Sequence, residues 1–235
     1  MTPAQQEPTR QNQPGPGQEP ELAGERASLV AFGRRMVADG LVEGMSGNLS
    51  VRAGDLVAIT PSGVDYDEIQ PAGICLVALA DGSPVGGGRP STETPMHLAV
   101  YRATGAAAVV HTHSPFVVAL STVLDELPAV HYAMAGLGGP VRVARYARFG
   151  TAELAGQAVS ALAGRTAVIL GNHGALAYGA TLGQAYDRVR TLEWLARVYW
   201  YARQAGQPRT LTEAQLAEVR DTIEQIGYGE PHRDS

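Results

Sequence analysis

From Leu22 onward, short apolar segments of strand character alternate with segments of helical periodicity. This alternation is typical of α/β proteins, in which helices cover both faces of a sheet. We therefore predict an α/β fold, a three-layer αβα sandwich around a central mixed or antiparallel sheet. No break in composition divides residues 22–235, so one domain is expected there. Residues 1–21 are predicted to be a disordered tail, because 12 of the first 20 residues are Gln, Pro or Gly.

Turn residues and helix caps mark the predicted elements. The strands, each bounded by turn residues, are expected at 48–52, 56–60, 74–79, 108–113, 167–170 and 175–178. Helices are expected from Leu22 to Gly40, over 94–103, from Thr151 to Gly164, from Thr181 onward and from Thr212 to Gly227. Pro95 lies in the first turn of the second helix, and Gln184 completes a capping box with Thr181.

Composition restricts the partners and the location of the protein. The chain has 18 basic and 23 acidic residues and a net charge of −5, which argues against nucleic-acid binding. No apolar run approaches the ~20 residues of a membrane span, so no membrane partner is expected. The single cysteine, Cys75, cannot form an internal disulfide and favours a cytoplasmic location.

Three histidines form a candidate metal site. His111 and His113 lie two residues apart at the end of an apolar strand segment, so their side chains are expected on one face. His173 lies in a tight connection between two predicted strands. Three imidazoles with a fourth position open are the composition of a catalytic zinc site. Three unrelated histidines are the alternative at this point.

Glu93 is a candidate fourth participant, since it precedes a predicted helix. On the residues alone, a carboxylate there is as readily explained by its favourable interaction with the helix N-terminus. The remaining histidines are interpreted as structural or surface residues; they are His97, His131 and His232.

Three loops rich in glycine and hydroxyl residues have anion-binding character. They are residues 46–48, 60–63 and 91–92. Glycine lets backbone N–H groups approach an anion, and hydroxyls donate further hydrogen bonds. The third loop also precedes a helix, whose N-terminus favours negative charge. Each loop alone is more typical of an ordinary turn, and none has the spacing of a nucleotide-binding loop.

Taken together, these segments resemble the class II aldolase/adducin family, which includes fuculose-phosphate aldolases and ribulose-phosphate 4-epimerases. The resemblance covers about residues 24–229. It rests on segments that occur in family order, namely 44–52, 59–63, 90–93, 110–113, 146–151 and 171–174.

The resemblance implies a role for each candidate residue. His111, His113 and His173 match the ligands of Zn²⁺, for which Mn²⁺ or Co²⁺ are alternatives. Glu93 matches the catalytic carboxylate, which also contacts the metal in the resting enzyme. The residues matching the cradle for the substrate phosphate are Gly47, Asn48, Ser62, Gly63, Ser91 and Thr92.

The implied reaction is zinc-dependent cleavage of a ketose phosphate to dihydroxyacetone phosphate and an aldehyde through a metal-stabilised enediolate. Tyr132 matches an acid tyrosine that reaches the site of a neighbouring subunit, and Tyr228 resembles a second catalytic tyrosine near the chain end. The implied assembly is a homotetramer with active sites between subunits. The implied partner is a small sugar phosphate.

Other activities stay open on the sequence. A sugar-phosphate 4-epimerase would typically have aspartate in place of Glu93 and an acid in place of Tyr132, and the nearest acids to that segment are Asp125 and Glu126. Dehydratases and decarboxylases of the family share the three histidines. Adducin-like binding heads lack the full set of ligands, and an unrelated metallohydrolase would need a base that the sequence does not identify.

Overall fold

A computed structural model describes residues 22–226. The predicted tail, residues 1–21, and the residues Gly227, Tyr228 and His232, for which the sequence made predictions, lie outside the described residues. The helices are α1 (Ala23–Ala38), α2 (Thr94–Ala103), α3 (Pro115–Ser121), α4 (Ala152–Ala161), α5 (Leu182–Ala205) and α6 (Glu213–Ile226), with short 3₁₀ helices at Pro71–Gly73 and Tyr132–Leu137.

Within residues 22–226, nine strands form one mixed sheet. They are β1 (Asn48–Ala53), β2 (Leu56–Ile59), β3 (Cys75–Ala78), β4 (Pro84–Gly86), β5 (Ala108–Thr112), β6 (Glu126–Leu127), β7 (Val141–Ala144), β8 (Ala167–Leu170) and β9 (Gly174–Gly179). Their order is β4-β3-β2-β1-β5-β9-β8-β7-β6. Only the β7–β8 pairing is parallel among these strands.

Each face of the sheet is covered by its own helices, which confirms the predicted three-layer architecture. Successive strand residues alternate between two cores: Val110 packs with the α1, α3 and α5 side, whereas Val109 packs with the α2 and α4 side. In the same way Ile169 and Val168 of β8 enter opposite cores. The sheet is therefore buried on both faces at its centre, where β5 lies.

The predicted helix caps are observed. The Thr181 hydroxyl accepts a hydrogen bond from the backbone N–H of Gln184 at 3.1 Å, and the Thr151 hydroxyl caps α4 in the same way. Thr212 and Gln215 form a reciprocal capping box at α6. Among residues 22–226, no helix combines the length and the apolar character needed to cross a bilayer.

Some elements are absent from the sequence predictions because tertiary contacts stabilise them. Helix α3 is only 7 residues long, and the Glu193 carboxylate of α5 accepts hydrogen bonds from the backbone N–H groups of Phe116 and Val117 at its start, each at 3.0 Å. Strands β4 and β6 are edge strands of 3 and 2 residues. The predicted strand 108–113 also ends one residue early, at Thr112.

Candidate metal centre and active site

His111 and His113 meet at the end of the central strand. His111 is the fourth residue of β5 and is fully buried, and His113 follows the strand directly. Their Nε2 atoms lie 3.0 Å apart. His111 Nδ1 lies 2.8 Å from the carbonyl oxygen of Ala175 on the neighbouring strand, so Nδ1–H donates and Nε2 is left free as a ligand.

His173 is brought to the same point by the turn between β8 and β9. Asn172 adopts a left-handed conformation with φ of 54°, and its backbone N–H donates to the Ser121 hydroxyl at 2.9 Å. The His173 ring centroid then lies 4.9 Å from that of His111 and 4.8 Å from that of His113. Three imidazoles from two distant parts of the chain therefore surround one point.

Glu93 completes the cluster from the opposite side. It is the N-cap residue of α2, and its backbone N–H donates to the Ser91 hydroxyl at 3.2 Å. Its Oε2 lies 3.0 Å from His111 Nε2, and its Oε1 lies 3.4 Å from His173 Nε2. Among residues 22–226, Oε1 is one of three buried side-chain oxygen atoms with no hydrogen-bond partner.

These four side chains fit a divalent cation. Their ligand atoms all lie within 4.8 Å of one another. A tetrahedral zinc site with bonds of ~2.1 Å places neighbouring ligands about 3.4 Å apart, close to the separations of 3.0 to 3.4 Å observed between neighbours. The unpartnered Glu93 Oε1 is a buried anionic oxygen that a cation would satisfy. The cluster thus has the composition and the size of a metal centre.

The electrostatics of the cluster favour the neutral forms of His113 and His173 and the charged form of His111. Burial and the nearby His111 lower the pKa of His113 to about 3 and that of His173 to about 4. Burial also opposes the charged form of His111, but the Glu93 carboxylate outweighs it and raises the pKa of His111. Burial alone would raise the pKa of Glu93, and the charge and hydrogen bond of His111 lower it well below its usual range. A metal requires an ionised carboxylate and neutral imidazoles, so its binding would release the proton that Glu93 favours on His111.

A cavity of about 310 Å³ opens beside the cluster. Glu93, His113 and His173 form part of its wall. All six residues of the predicted phosphate cradle line the same cavity, namely Gly47, Asn48, Ser62, Gly63, Ser91 and Thr92. No Lys or Arg is among its lining residues, so an anion there would be bound by neutral donors and by the N-terminus of α2.

His97, which was interpreted from the sequence as a structural or surface residue, is a buried neighbour of the site. It is fully buried, and its Nε2 lies 2.5 Å from Asn48 Oδ1. Asn48 Nδ2 in turn donates to Glu93 Oε2 at 2.9 Å. The signal for this arrangement is the spacing of Glu93 and His97 at i and i+4, which places both on one face of α2.

Tyr132 lies away from the cavity within one chain. It is 59% exposed and, with side chains of α6, lines a separate groove. The described residues of one chain therefore do not bring Tyr132 to the metal cluster. Asp125 and Glu126, the acids considered for an epimerase, are not among the residues lining the cavity.

Gly174 is expected to be indispensable for the geometry of the cluster. A Cβ at this position would lie 2.1 Å from the carbonyl oxygen of Thr112 and 3.1 Å from the ring of His113. We predict that Gly174→Ala lowers the free energy of unfolding by about 1–3 kcal/mol, a typical cost of overpacking, and lowers bound metal. Urea unfolding and metal analysis measure both.

The control is Gly156→Ala in α4, where an added Cβ meets nothing within 4 Å. This change is expected to stabilise the helix slightly. Equal changes in the free energy of unfolding and in bound metal in the two variants would contradict the proposed steric role of Gly174.

Comparison with known proteins identifies the family. Residues 27–200 match the family model described as class II aldolase and adducin N-terminal domain. A 5-deoxy-D-ribulose 1-phosphate aldolase from Bacillus thuringiensis serovar kurstaki is 38% identical over 213 residues, 89% of this chain and 99% of the relative. A 5-methylthioribulose-1-phosphate/5-deoxyribulose-1-phosphate aldolase from Rhodospirillum rubrum is 37% identical over 204 residues, 86% of this chain and 92% of the relative.

A solved structure supports the same assignment. A structure described as L-fuculose 1-phosphate aldolase superposes with a TM-score of 0.83 at 37% identity, covering 86% of this chain and 96% of the other. Since the family model spans most of the described residues and the relatives are covered almost end to end, the chain belongs to the class II aldolase family of enzymes.

Proposed function

We propose that this protein is a zinc-dependent aldolase that cleaves a ketose 1-phosphate to dihydroxyacetone phosphate and an aldehyde. The observation that carries the proposal is the meeting of Glu93 with three imidazoles in the wall of a cavity. The opposite part of that wall consists of small and hydroxyl residues suited to a phosphate. A cluster of metal ligands and a phosphate cradle in one cavity suit metal-assisted chemistry on a phosphorylated substrate.

His111, His113, His173 and Glu93 would hold the cation. Three nitrogen donors and one oxygen donor suit Zn²⁺, and imidazole also suits Mn²⁺ and Co²⁺, which are tested beside it. When bound, the cation supplies Lewis-acid stabilisation of the negative charge that develops on the substrate oxygens as the carbon–carbon bond breaks.

Glu93 is proposed to move the proton of the carbon that is left negatively charged. When the bond between the third and fourth carbons of the ketose breaks, its electron pair remains on the third carbon, which must gain a proton to give dihydroxyacetone phosphate. Glu93 lines the cavity, and its Oε1 is buried and lacks a hydrogen-bond partner. This carboxylate is therefore placed to take up a proton, which balances the one lost from the hydroxyl on the fourth carbon, and to pass it to the third carbon; in the reverse direction it removes that proton.

The six residues of the predicted cradle are proposed to bind the phosphate. Ser91 and Thr92 precede α2, so their backbone and hydroxyl groups lie at the positive end of that helix. Binding by neutral donors fixes the position of the substrate relative to Glu93, and this positioning lowers the entropic part of the barrier.

The exposed rim of the cavity favours a substrate whose far end is apolar. Met45, Tyr146 and Phe149 line the cavity and are each more than half exposed. The two relatives described above are named for 5-deoxy and methylthio sugars, which lack a polar group at this end. We therefore place 5-deoxyribulose 1-phosphate and 5-methylthioribulose 1-phosphate first among the substrates to test.

A panel of ketose 1-phosphates and 5-phosphates tests the proposed reaction. Each sugar is incubated with the metal-loaded protein, and dihydroxyacetone phosphate, aldehyde, epimerised sugar and dehydrated product are measured. Equal amounts of dihydroxyacetone phosphate and aldehyde from a 1-phosphate are expected. Formation of an epimer would contradict the proposal and indicate a 4-epimerase. A dehydrated product without dihydroxyacetone phosphate or aldehyde would contradict it and indicate a dehydratase.

Tyr132 is proposed to exchange the proton of the hydroxyl on the fourth carbon, acting in the site of a neighbouring subunit of a homotetramer. Its exposure, and its absence from the residues that line the cavity within one chain, support this placement. Tyr132→Phe is expected to lower kcat by about 10²–10⁴-fold. Tyr228 is proposed for a similar role, and it lies outside the described residues.

Mixed oligomers test whether Tyr132 acts across a subunit boundary. Oligomers reassembled from equal amounts of Tyr132→Phe and Glu93→Gln chains are expected to regain about one quarter of wild-type activity, because random pairing creates that share of intact sites. No recovery above the single variants would show that both residues act within one chain.

A cytoplasmic location and a single domain over 22–235 are part of the same proposal.

A further inference from the structure

A continuous chain of buried hydrogen-bonding groups runs from α2 to the catalytic carboxylate. The Tyr101 hydroxyl lies 2.7 Å from Ser50 Oγ, and Ser50 Oγ lies 2.7 Å from His97 Nδ1. His97 Nε2 lies 2.5 Å from Asn48 Oδ1, and Asn48 Nδ2 lies 2.9 Å from Glu93 Oε2. All five side chains are buried, so each contact is shielded from water.

The fold brings these groups together by two simple periodicities. Asn48 and Ser50 are two residues apart on β1 and share one face of the sheet. Glu93, His97 and Tyr101 are spaced by four residues at the start of α2 and along it and share one face of the helix. Helix and strand therefore meet along a row of five polar side chains within an otherwise apolar core.

Only one assignment of donors satisfies every contact along this row. Glu93 is an acceptor, so Asn48 must turn its NH₂ group toward it and its Oδ1 away. Asn48 Oδ1 then accepts from His97, which places the ring proton on Nε2. His97 Nδ1, being unprotonated, accepts from the Ser50 hydroxyl, and Ser50 Oγ accepts from Tyr101. Burial lowers the pKa of His97 to about 3, which agrees with a neutral ring.

We infer that His97 is a positioning residue, whose Nε2–H holds the amide of Asn48 in the one orientation that fixes the Glu93 carboxylate. In the opposite orientation Asn48 would place Oδ1 against Glu93 Oε2, and two oxygen acceptors would repel. Glu93 Oε2 would lose the hydrogen bond from Asn48, and the orientation of the carboxylate would no longer be fixed from this side. The inference rests on the proposed role of Glu93.

Two amide substitutions of His97 separate positioning from packing. In His97→Gln the terminal NH₂ group reaches the place of Nε2 and can donate to Asn48. In His97→Asn the shorter amide reaches only the place of Nδ1, beside Ser50. Both are buried polar amides, so similar losses of thermal stability are expected. His97→Asn is expected to lower kcat about 10–100-fold with little change in KM. His97→Gln is expected to retain most of the wild-type kcat.

A readout apart from activity accompanies the kinetics. We expect Co²⁺ bound to His97→Asn to show a changed visible absorption spectrum and about 10-fold weaker binding, and His97→Gln to resemble the wild type. Equal effects of the two variants on kcat and on Co²⁺ binding, or no effect of either, would overturn the inference.

The wild-type protein gives a test that does not depend on whether the variants fold. Nitrogen NMR of histidine-labelled, metal-free protein is expected to show His97 as the Nε2–H tautomer, with a ring proton that exchanges slowly. An Nδ1–H tautomer would reverse the amide of Asn48 and overturn the inference. The tautomer does not depend on whether the proposed aldol cleavage is observed. Failure of the inference about His97 can therefore be distinguished from failure of the proposed function.

Discussion

Glu93→Gln is expected to lower turnover by about 10²–10⁴-fold, the usual contribution of a positioned acid or base. Glutamine has nearly the same shape as glutamate, so the contact with Asn48, 2.9 Å from Oε2, can be kept. An amide cannot accept the proton that the reaction requires. Substrate binding is expected to change little, because the cradle residues are untouched.

Two measurements locate the effect of Glu93→Gln. Exchange of the carbon-bound proton of dihydroxyacetone phosphate with deuterium in the solvent should be abolished, while binding of dihydroxyacetone phosphate is retained. The matched control is Glu153→Gln, which changes an exposed carboxylate in the first turn of α4 and should leave both unchanged. Deuterium exchange at the wild-type rate in Glu93→Gln would assign the proton transfer to another group.

His173→Ala is expected to lower the affinity for the divalent cation by at least about 100-fold, and cleavage should fall in proportion to the metal lost. His173 supplies one of four donors that lie within 4.8 Å of one another, and a three-donor site holds an ion more weakly than a four-donor site. Metal analysis after dialysis against a chelator, and titration of the stripped protein with Co²⁺, measure the change.

His131→Ala is the control for the loss of an imidazole. His131 caps the 3₁₀ helix at Tyr132–Leu137, where its Nδ1 accepts from the backbone N–H of Ala133, and it is outside the metal cluster. Its variant is expected to retain the cation. Metal retention by His173→Ala at the wild-type level would remove His173 from the proposed set of ligands.

The parts of the fold set by local patterns were predictable from the sequence. Apolar periodicity and capping residues predicted α2, α4 and α5, and Thr181 with Gln184 marked the start of α5 correctly. By contrast, α3 and β7 depend on contacts between distant residues. Helix α3 is only 7 residues long and begins where the Glu193 carboxylate accepts hydrogen bonds from its first N–H groups. Strand β7 has only four residues and pairs with β8.

The candidate site divides in the same way. The spacing of His111 and His113 and the turn around His173 predicted that three imidazoles could meet, because each feature is local. Glu93 was a candidate on the residues alone, but only the family resemblance favoured it over a simple helix N-terminal charge, since the approach of α2 to the end of β5 is a long-range property. The role of His97 was missed because it becomes visible only when α2 packs against β1.

Reconstitution of the metal-free protein tests the central claim most directly. The protein is stripped with a chelator and titrated with Zn²⁺, Mn²⁺ or Co²⁺, and cleavage of 5-deoxyribulose 1-phosphate is followed at each addition. If Glu93, His111, His113 and His173 hold one catalytic cation, cleavage should be absent without metal and should reach its maximum near one equivalent per chain. Full cleavage by the stripped protein, or saturation of a metal-binding signal without any cleavage of the sugar panel, would contradict the account.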